Sequence, residues 1–153
     1  MRYPLIVTVV CALGVSAPAS GAARTCGLLT TAQIARALAE PATAGYQEGA
    51  EKCFWASGLA TTAPAKEYVS LAVHLSPSTS DAALQYRAFS VIANIPVGGL
   101  GDHAGFQKLR DGGVLSILKG RRVITILLHS KKQKHGLAAL KALGRAVIAK
   151  VKG

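Results

Sequence analysis

Val114-Leu115-Ser116-Ile117-Leu118, then Lys119-Gly120-Arg121-Arg122, then Val123-Ile124-Thr125-Ile126-Leu127-Leu128 is the stretch that decides the fold. Two β-rich apolar runs flank a short basic connection in which Gly120 is available for a tight turn, so the stretch predicts a β-hairpin. Odd and even positions of the second run are both apolar. A strand of that kind is central in its sheet and covered on both sides.

Working outward, residues 104–109 read as a further strand, set off by Pro96 and the glycines at 98, 99 and 101. Residues 68–75 alternate cleanly, with Val69, Leu71, Val73 and Leu75 on one face. Residues 52–55 make a short strand, and the polar stretch up to Gly49 reads as loop. Thr30 and Gln33 form a capping box for a helix carrying Ile34 and Leu38 on one side and ending before Pro41. Ser78 or Ser80 caps a second helix running to about Asn94, whose apolar period is Leu84, Ala88 and Val91. A last helix is predicted from about Gln133 to Val151, burying Leu140, Leu143, Val147 and Val151. The order α-β-β-α-β-β-β-α is that of an α+β domain with an antiparallel sheet. Trp55 and the Val69–Leu75 face are expected to meet Leu140 and Val147 in its core. No internal repeat and no second domain is evident, so residues 24–153 read as one domain.

The N-terminus sets the compartment. Arg2, the apolar run Leu5–Val15 and Ala17-Pro18-Ala19 follow the order of a secretory signal peptide over residues 1–19, with cleavage as late as residue 23. The mature chain is then secreted or periplasmic. Cys11 leaves with the leader, and Cys26 and Cys53 remain as an even pair in an oxidising compartment, which predicts a disulfide. Half of the residues are hydrophobic and only 16% are charged, which excludes a disordered chain. No later segment is long and apolar enough to span a bilayer. Arg24-Thr25 before Cys26 does not suit a lipidation box.

Several pieces line up with known domains. Cys26-Gly27-Leu28-Leu29-Thr30 leads into a helix, Cys53-Phe54-Trp55 follows, and Gly101-Asp102-His103-Ala104-Gly105-Phe106 precedes the hairpin. The chain resembles secreted domains of unknown function found in actinobacterial envelope lipoproteins, and the PknH-like extracellular kinase sensor domain. The shared pattern is C-x-L-L-T, C-x-W or C-x-F, and G-D-x-A-x-F. The resemblance implies a PsbP-like α/β/α sandwich, the Cys26–Cys53 disulfide, and binding or sensing more than catalysis. The chain lacks the lipobox and any attached kinase or transmembrane segment, so a membrane-anchored sensor role does not carry over.

The catalytic motifs are weak. Gly99-x-Gly101-x-x-Ala104 imitates a dinucleotide fingerprint, but a helix precedes it and a strand follows, the reverse of what that motif needs. Asp102 and His103 are neighbours and poorly placed to pair, no serine lies in a G-x-S-x-G elbow, and Asp102 suits a turn. His74, His103, His129 and His135 lack ligand spacing, so no metal and no cofactor is expected.

Charge is the informative feature. The net charge is +11, and the excess lies entirely in residues 103–153, where Asp111 is the one acid. On a helical wheel Lys134, Lys141, Arg145 and Lys152 form one stripe beside the apolar face, with Lys131 and Lys132 just before it. Lys119, Arg121 and Arg122 crowd the hairpin tip. A basic surface on an exported protein fits an anionic envelope component or an acidic protein partner, with peripheral membrane contact. Nucleic acid suits the charge but not the compartment, and no aromatic ring is interleaved with these cations. The expectation is a monomeric, non-catalytic binding module. The competing classes are a small periplasmic hydrolase with an unconventional site and an inhibitor or accessory subunit.

Overall fold

The computed structural model describes residues 25–58, 67–91, 95–132 and 136–151. The leader, Lys134, His135 and Lys152 lie outside them. The hairpin forms as β6 (Gly112–Lys119) and β7 (Arg122–His129), closed by the two residues Gly120 and Arg121. Gly120 takes φ 56° at the first central position, where a hairpin turn of this length favours glycine. On its other side β7 pairs along its whole length with β3 (Tyr68–Leu75), whose bounds match the sequence reading. Beyond β3 lie β2 (Lys52–Ala56) and β1 (Tyr46–Glu48), and beyond β6 lie β5 (His103–Leu109) and β4 (Ile95–Pro96). The described strands make one seven-stranded antiparallel sheet in the order β1-β2-β3-β7-β6-β5-β4, with β7 at its centre.

The two faces are covered unequally. Ile124, Ile126 and Leu128 of β7 join Val69, Leu71, Trp55, Leu115 and Ile117 under two helices, α1 (Thr31–Leu38) and α3 (Leu137–Ile148). Leu140 and Val147 of α3 enter the same core, as expected. The opposite face receives α2 (Thr79–Ser90), which sets Ala82, Ala83 and Tyr86 on Leu118 and Val123. Further along that face the rings of Phe54, Tyr68 and His129 stack across three strands, with centroids 5.1 and 5.2 Å apart. Helices thus flank both faces of the sheet, and no helix among the described residues is long and apolar enough to cross a membrane.

Cys26 and Cys53 are joined in a disulfide, with Cα atoms 5.1 Å apart. It ties a 3₁₀ turn, Thr25–Leu28, to the buried side of β2. Thr30 caps α1 through the expected box with Gln33, but the helix ends at Leu38, where Ala39 turns left-handed (φ 56°), short of Pro41.

Three features depart from the sequence reading. First, two edge strands, β1 and β4, occupy stretches read as loop. Second, α2 presents its supposed core stripe to solvent: Leu84 is 62% and Val91 82% exposed. Its rotation is set elsewhere. Ser78 caps it, the Ser76 amide donates to the Arg121 carbonyl, and the Arg121 guanidinium donates to the Pro77 carbonyl, pinning its start to the hairpin tip. Small Ala82 then makes the close contact with the sheet. Third, α3 starts at Leu137, not near Gln133. Gly136 is its left-handed N-cap (φ 50°), and a side chain there would press within 2.7 Å of Leu128.

Candidate basic docking surface

The helical layer over the main core is built from α1 and α3 packed antiparallel. At one end Lys132, leading into α3, pairs with Glu40, just past α1. At the other, Lys150 donates to the Gly27 carbonyl at 3.2 Å. Apolar side chains turn both helices inward: Ile34, Ala37 and Leu38 from α1, and Leu140, Leu143 and Val147 from α3. Their polar positions are therefore forced outward together. Arg36 is exposed on α1; half-buried Lys141 and exposed Arg145 lie four residues apart on the flank of α3 turned away from the residues that face α1. Lys131 is exposed at the end where β7 leads toward α3.

The acids explain why this surface stays positive. Glu48 pairs with Lys52 at 2.7 Å, and Glu51 meets His74 Nδ1 at 3.0 Å, both on the far edge of the sheet. Glu67 is buried and accepts the Ser130 hydroxyl at 2.8 Å. Asp81 accepts from Ser78 at 2.6 Å at the start of α2, and Asp102 accepts the Gly120 amide at 2.6 Å. Asp111 lies at the β5–β6 turn, where its carbonyl accepts the Ser130 amide at 2.9 Å. Glu40, just past α1, is consumed by an ion pair. The Lys132 ammonium, helped by the Ser57 hydroxyl, holds its carboxyl below the ordinary value, and the same bond raises the lysine. Among the described residues, Arg36, Lys131, Lys141 and Arg145 have no acidic partner.

Of the six cations expected to act together, Lys131, Lys141 and Arg145 stand on or just before α3 without acidic partners among the described residues. Lys132 stays exposed but is paired with Glu40, and Lys134 and Lys152 fall outside the described residues. With α3 spanning only Leu137–Ile148, the stripe on the helix itself reduces to Lys141 and Arg145. One contributor escaped the sequence reading. Arg36 lies in the half of the chain without excess charge, and only the packing of α1 on α3 brings it to this surface. Lys150 falls about 160° from the stripe on a helical wheel extended to the C-terminus and instead donates to the Gly27 carbonyl.

Between the helices runs a groove of about 350 Å³, lined by Gln33, Arg36, Ala37, Ala139, Ala142 and Leu143. A second hollow of about 420 Å³ lies at the other end of the molecule, between Tyr86, Ser90 and the loop 97–102. Its Asp102 is turned toward Gly120, and its His103 stacks on Tyr86 with centroids 6.1 Å apart. Burial pushes the Tyr86 hydroxyl up from its ordinary pKa. The glycine run Gly99-x-Gly101 opens β5 and not a helix, as the sequence context implied. The described histidines sit apart, on Glu51, Tyr86 and Tyr68, and no group of three potential metal ligands occurs among the described residues. Neither a protein-family model nor a curated protein matches this sequence.

Proposed function

We propose that this protein is an exported, non-catalytic binding module that docks through the outer face of α1 and α3 onto an anionic component of the cell envelope. The observation that carries this reading is the charge of that face: four cations without acidic partners among the described residues, while six of the seven acids are paired, capped or buried, and Asp111 sits at the β5–β6 turn beside Ser130. Among the same residues Lys108, Arg110 and Lys119 also lack an acidic partner, so what distinguishes the α1/α3 face is that Arg36 lines a groove there, which suits a surface that meets an anionic layer. The leader-like N-terminus and the disulfide support the compartment, and the resemblance to envelope sensor domains points toward binding and toward the PsbP-like variant of the architecture.

Each cation brought to an anionic surface contributes about 1 kcal/mol, so four give at most roughly a thousandfold, and salt screens the gain. The test is cosedimentation with phosphatidylglycerol vesicles, phosphatidylcholine vesicles and dextran sulfate at about 0.05 M and about 0.5 M salt. The wild type should bind the anionic ligands at low salt and leave phosphatidylcholine alone. Arg36→Glu, Lys141→Glu and Arg145→Glu combined should bind neither and remain folded, because these side chains point away from the core. Equal binding by the combined variant would reduce the charge to a solubility device.

A further inference from the structure

Resting on that docking reading, we infer that the groove between α1 and α3 receives part of an acyl chain of an anionic lipid, so that the surface the protein meets is a bilayer and not an acidic glycan. The groove has the composition such a ligand requires. Its floor and walls are the hydrocarbon of Ala37, Ala139, Ala142 and Leu143. The Gln33 side-chain carbonyl oxygen at one wall already accepts from the Thr30 amide, at 2.8 Å, which leaves only its NH2 group to meet a ligand head group or water. Charge enters at one margin: Arg36 lines the groove, and Arg145, one helical turn from Ala142, stands exposed on the outer side of α3 beyond it. An apolar trough with a cation at its margin is complementary to an anionic head group followed by hydrocarbon.

Acidic glycan strands offer the charge without the hydrocarbon and would leave the trough wet. The small residues are what keep it open. On α3 the positions nearest α1 are Ala139, Ala142 and Ala146, and a longer side chain at the first two would close the space. An exposed helix side normally carries charged or polar residues, whereas Ala138, Ala142 and Ala149 leave this one bare around Lys141 and Arg145. That leaves nothing standing between the helix and a lipid surface except the two cations. At about 350 Å³ the groove takes a length of one chain rather than a whole lipid, which fits partial insertion from a membrane and not extraction.

The experiment separates charge from hydrocarbon. Ala139→Gln with Ala142→Gln fills the trough with neutral polar atoms and leaves every cation in place; Ala142 is exposed and Ala139 half-buried against the core, so far-ultraviolet dichroism and a urea titration check that the helix persists. Each methylene taken from water multiplies binding about fourfold. The wild type should therefore keep a fraction of its affinity for phosphatidylglycerol vesicles at about 0.5 M salt, where binding to dextran sulfate is gone. The filled variant should lose at least roughly tenfold of that residual vesicle binding while matching wild type on dextran sulfate at low salt. Leu84→Gln, exposed on α2 on the opposite face of the sheet, should behave as wild type. Vesicle binding that salt abolishes completely, or that the filled variant retains, overturns the groove assignment and leaves the docking surface standing. Absence of binding to both ligands at low salt overturns the docking reading and the groove with it.

Discussion

Reduction of the Cys26–Cys53 bridge should lower thermal stability by an amount that the loop it closes sets in advance. The two residues are 27 apart in sequence. In the chain-entropy account, opening a loop of that length returns about 12 cal/mol/K to the unfolded chain, or about 3.5 kcal/mol at 25 °C. For a domain of this size roughly 1 kcal/mol moves the melting temperature by about 3 °C, so the expected fall is about 10 °C. The folded state itself should change little. The 3₁₀ turn that bears Cys26 has other anchors: the Cys26 amide donates to the Gln47 side chain at 3.1 Å, the Thr25 hydroxyl to the Ala50 carbonyl at 3.2 Å, and Leu28 and Leu29 are buried in the main core. Far-ultraviolet dichroism at room temperature should therefore be the same with and without reductant, while the thermal transition shifts. Peptide mapping of the non-reduced protein should recover Cys26 and Cys53 in one linked fragment. Finding them in separate fragments, or a melting temperature indifferent to reductant, would refute the reasoning.

Other perturbations have equally definite outcomes. Leu71→Asp places a carboxylate in a fully enclosed site and should prevent folding, whereas Val73→Asp, at the half-buried margin of the same strand face, should yield a destabilised but folded protein; expression with a urea titration reads both. Ser130→Ala removes the buried hydroxyl that Glu67 accepts from and should cost about 1–3 kcal/mol in urea unfolding, part of it recovered when Glu67→Met is added. Leu84→Gln, on the outward stripe of α2, should change stability by no more than about 0.5 kcal/mol; a larger loss would mean that the stripe is packed. For the Glu40–Lys132 pair the acid sits below its ordinary value and the lysine above, so the acid's contribution is present at neutral pH and lost as pH falls through the lowered value, and the lysine's is lost only as pH rises through the raised one. In Lys132→Gln the carboxyl titration of Glu40, followed by NMR, should move upward toward the ordinary range.

The parts of the fold that sequence reveals here are those whose cause is local. The β6–β7 hairpin needs only two apolar runs and Gly120. β3 needs only its alternation, and α1 starts where Thr30 and Gln33 can cap each other. The failures have non-local causes. β1 is Tyr46-Gln47-Glu48, polar and largely exposed, and it is a strand because β2 offers it an edge. β4 contains Pro96, which ordinarily argues against a strand, yet a two-residue edge tolerates it. In α2 the period of Leu84, Ala88 and Val91 is real but names the wrong face. The helix is rotated by contacts at its first turn with a hairpin tip some forty residues downstream, made by Arg121 on Ser76 and Pro77.

The same distinction governs the docking surface. Charge excess is additive along a chain, so the concentration of lysine and arginine beyond residue 103 was readable without a structure. Which of those cations remain available is a pairing question, and pairing is tertiary. Lys132 is paired with Glu40, 92 residues earlier, while Arg36 joins the surface from a segment that carries no excess. The groove is less readable still, because alanines at 139 and 142 look like ordinary helix formers until α1 lies beside them with Ala37 facing the gap. An apolar trough with Arg36 at its margin is thus a property of how α1 and α3 pack. For that reason the chain-filling variants probe the site more sharply than any charge reversal: they leave untouched everything that composition could have foretold.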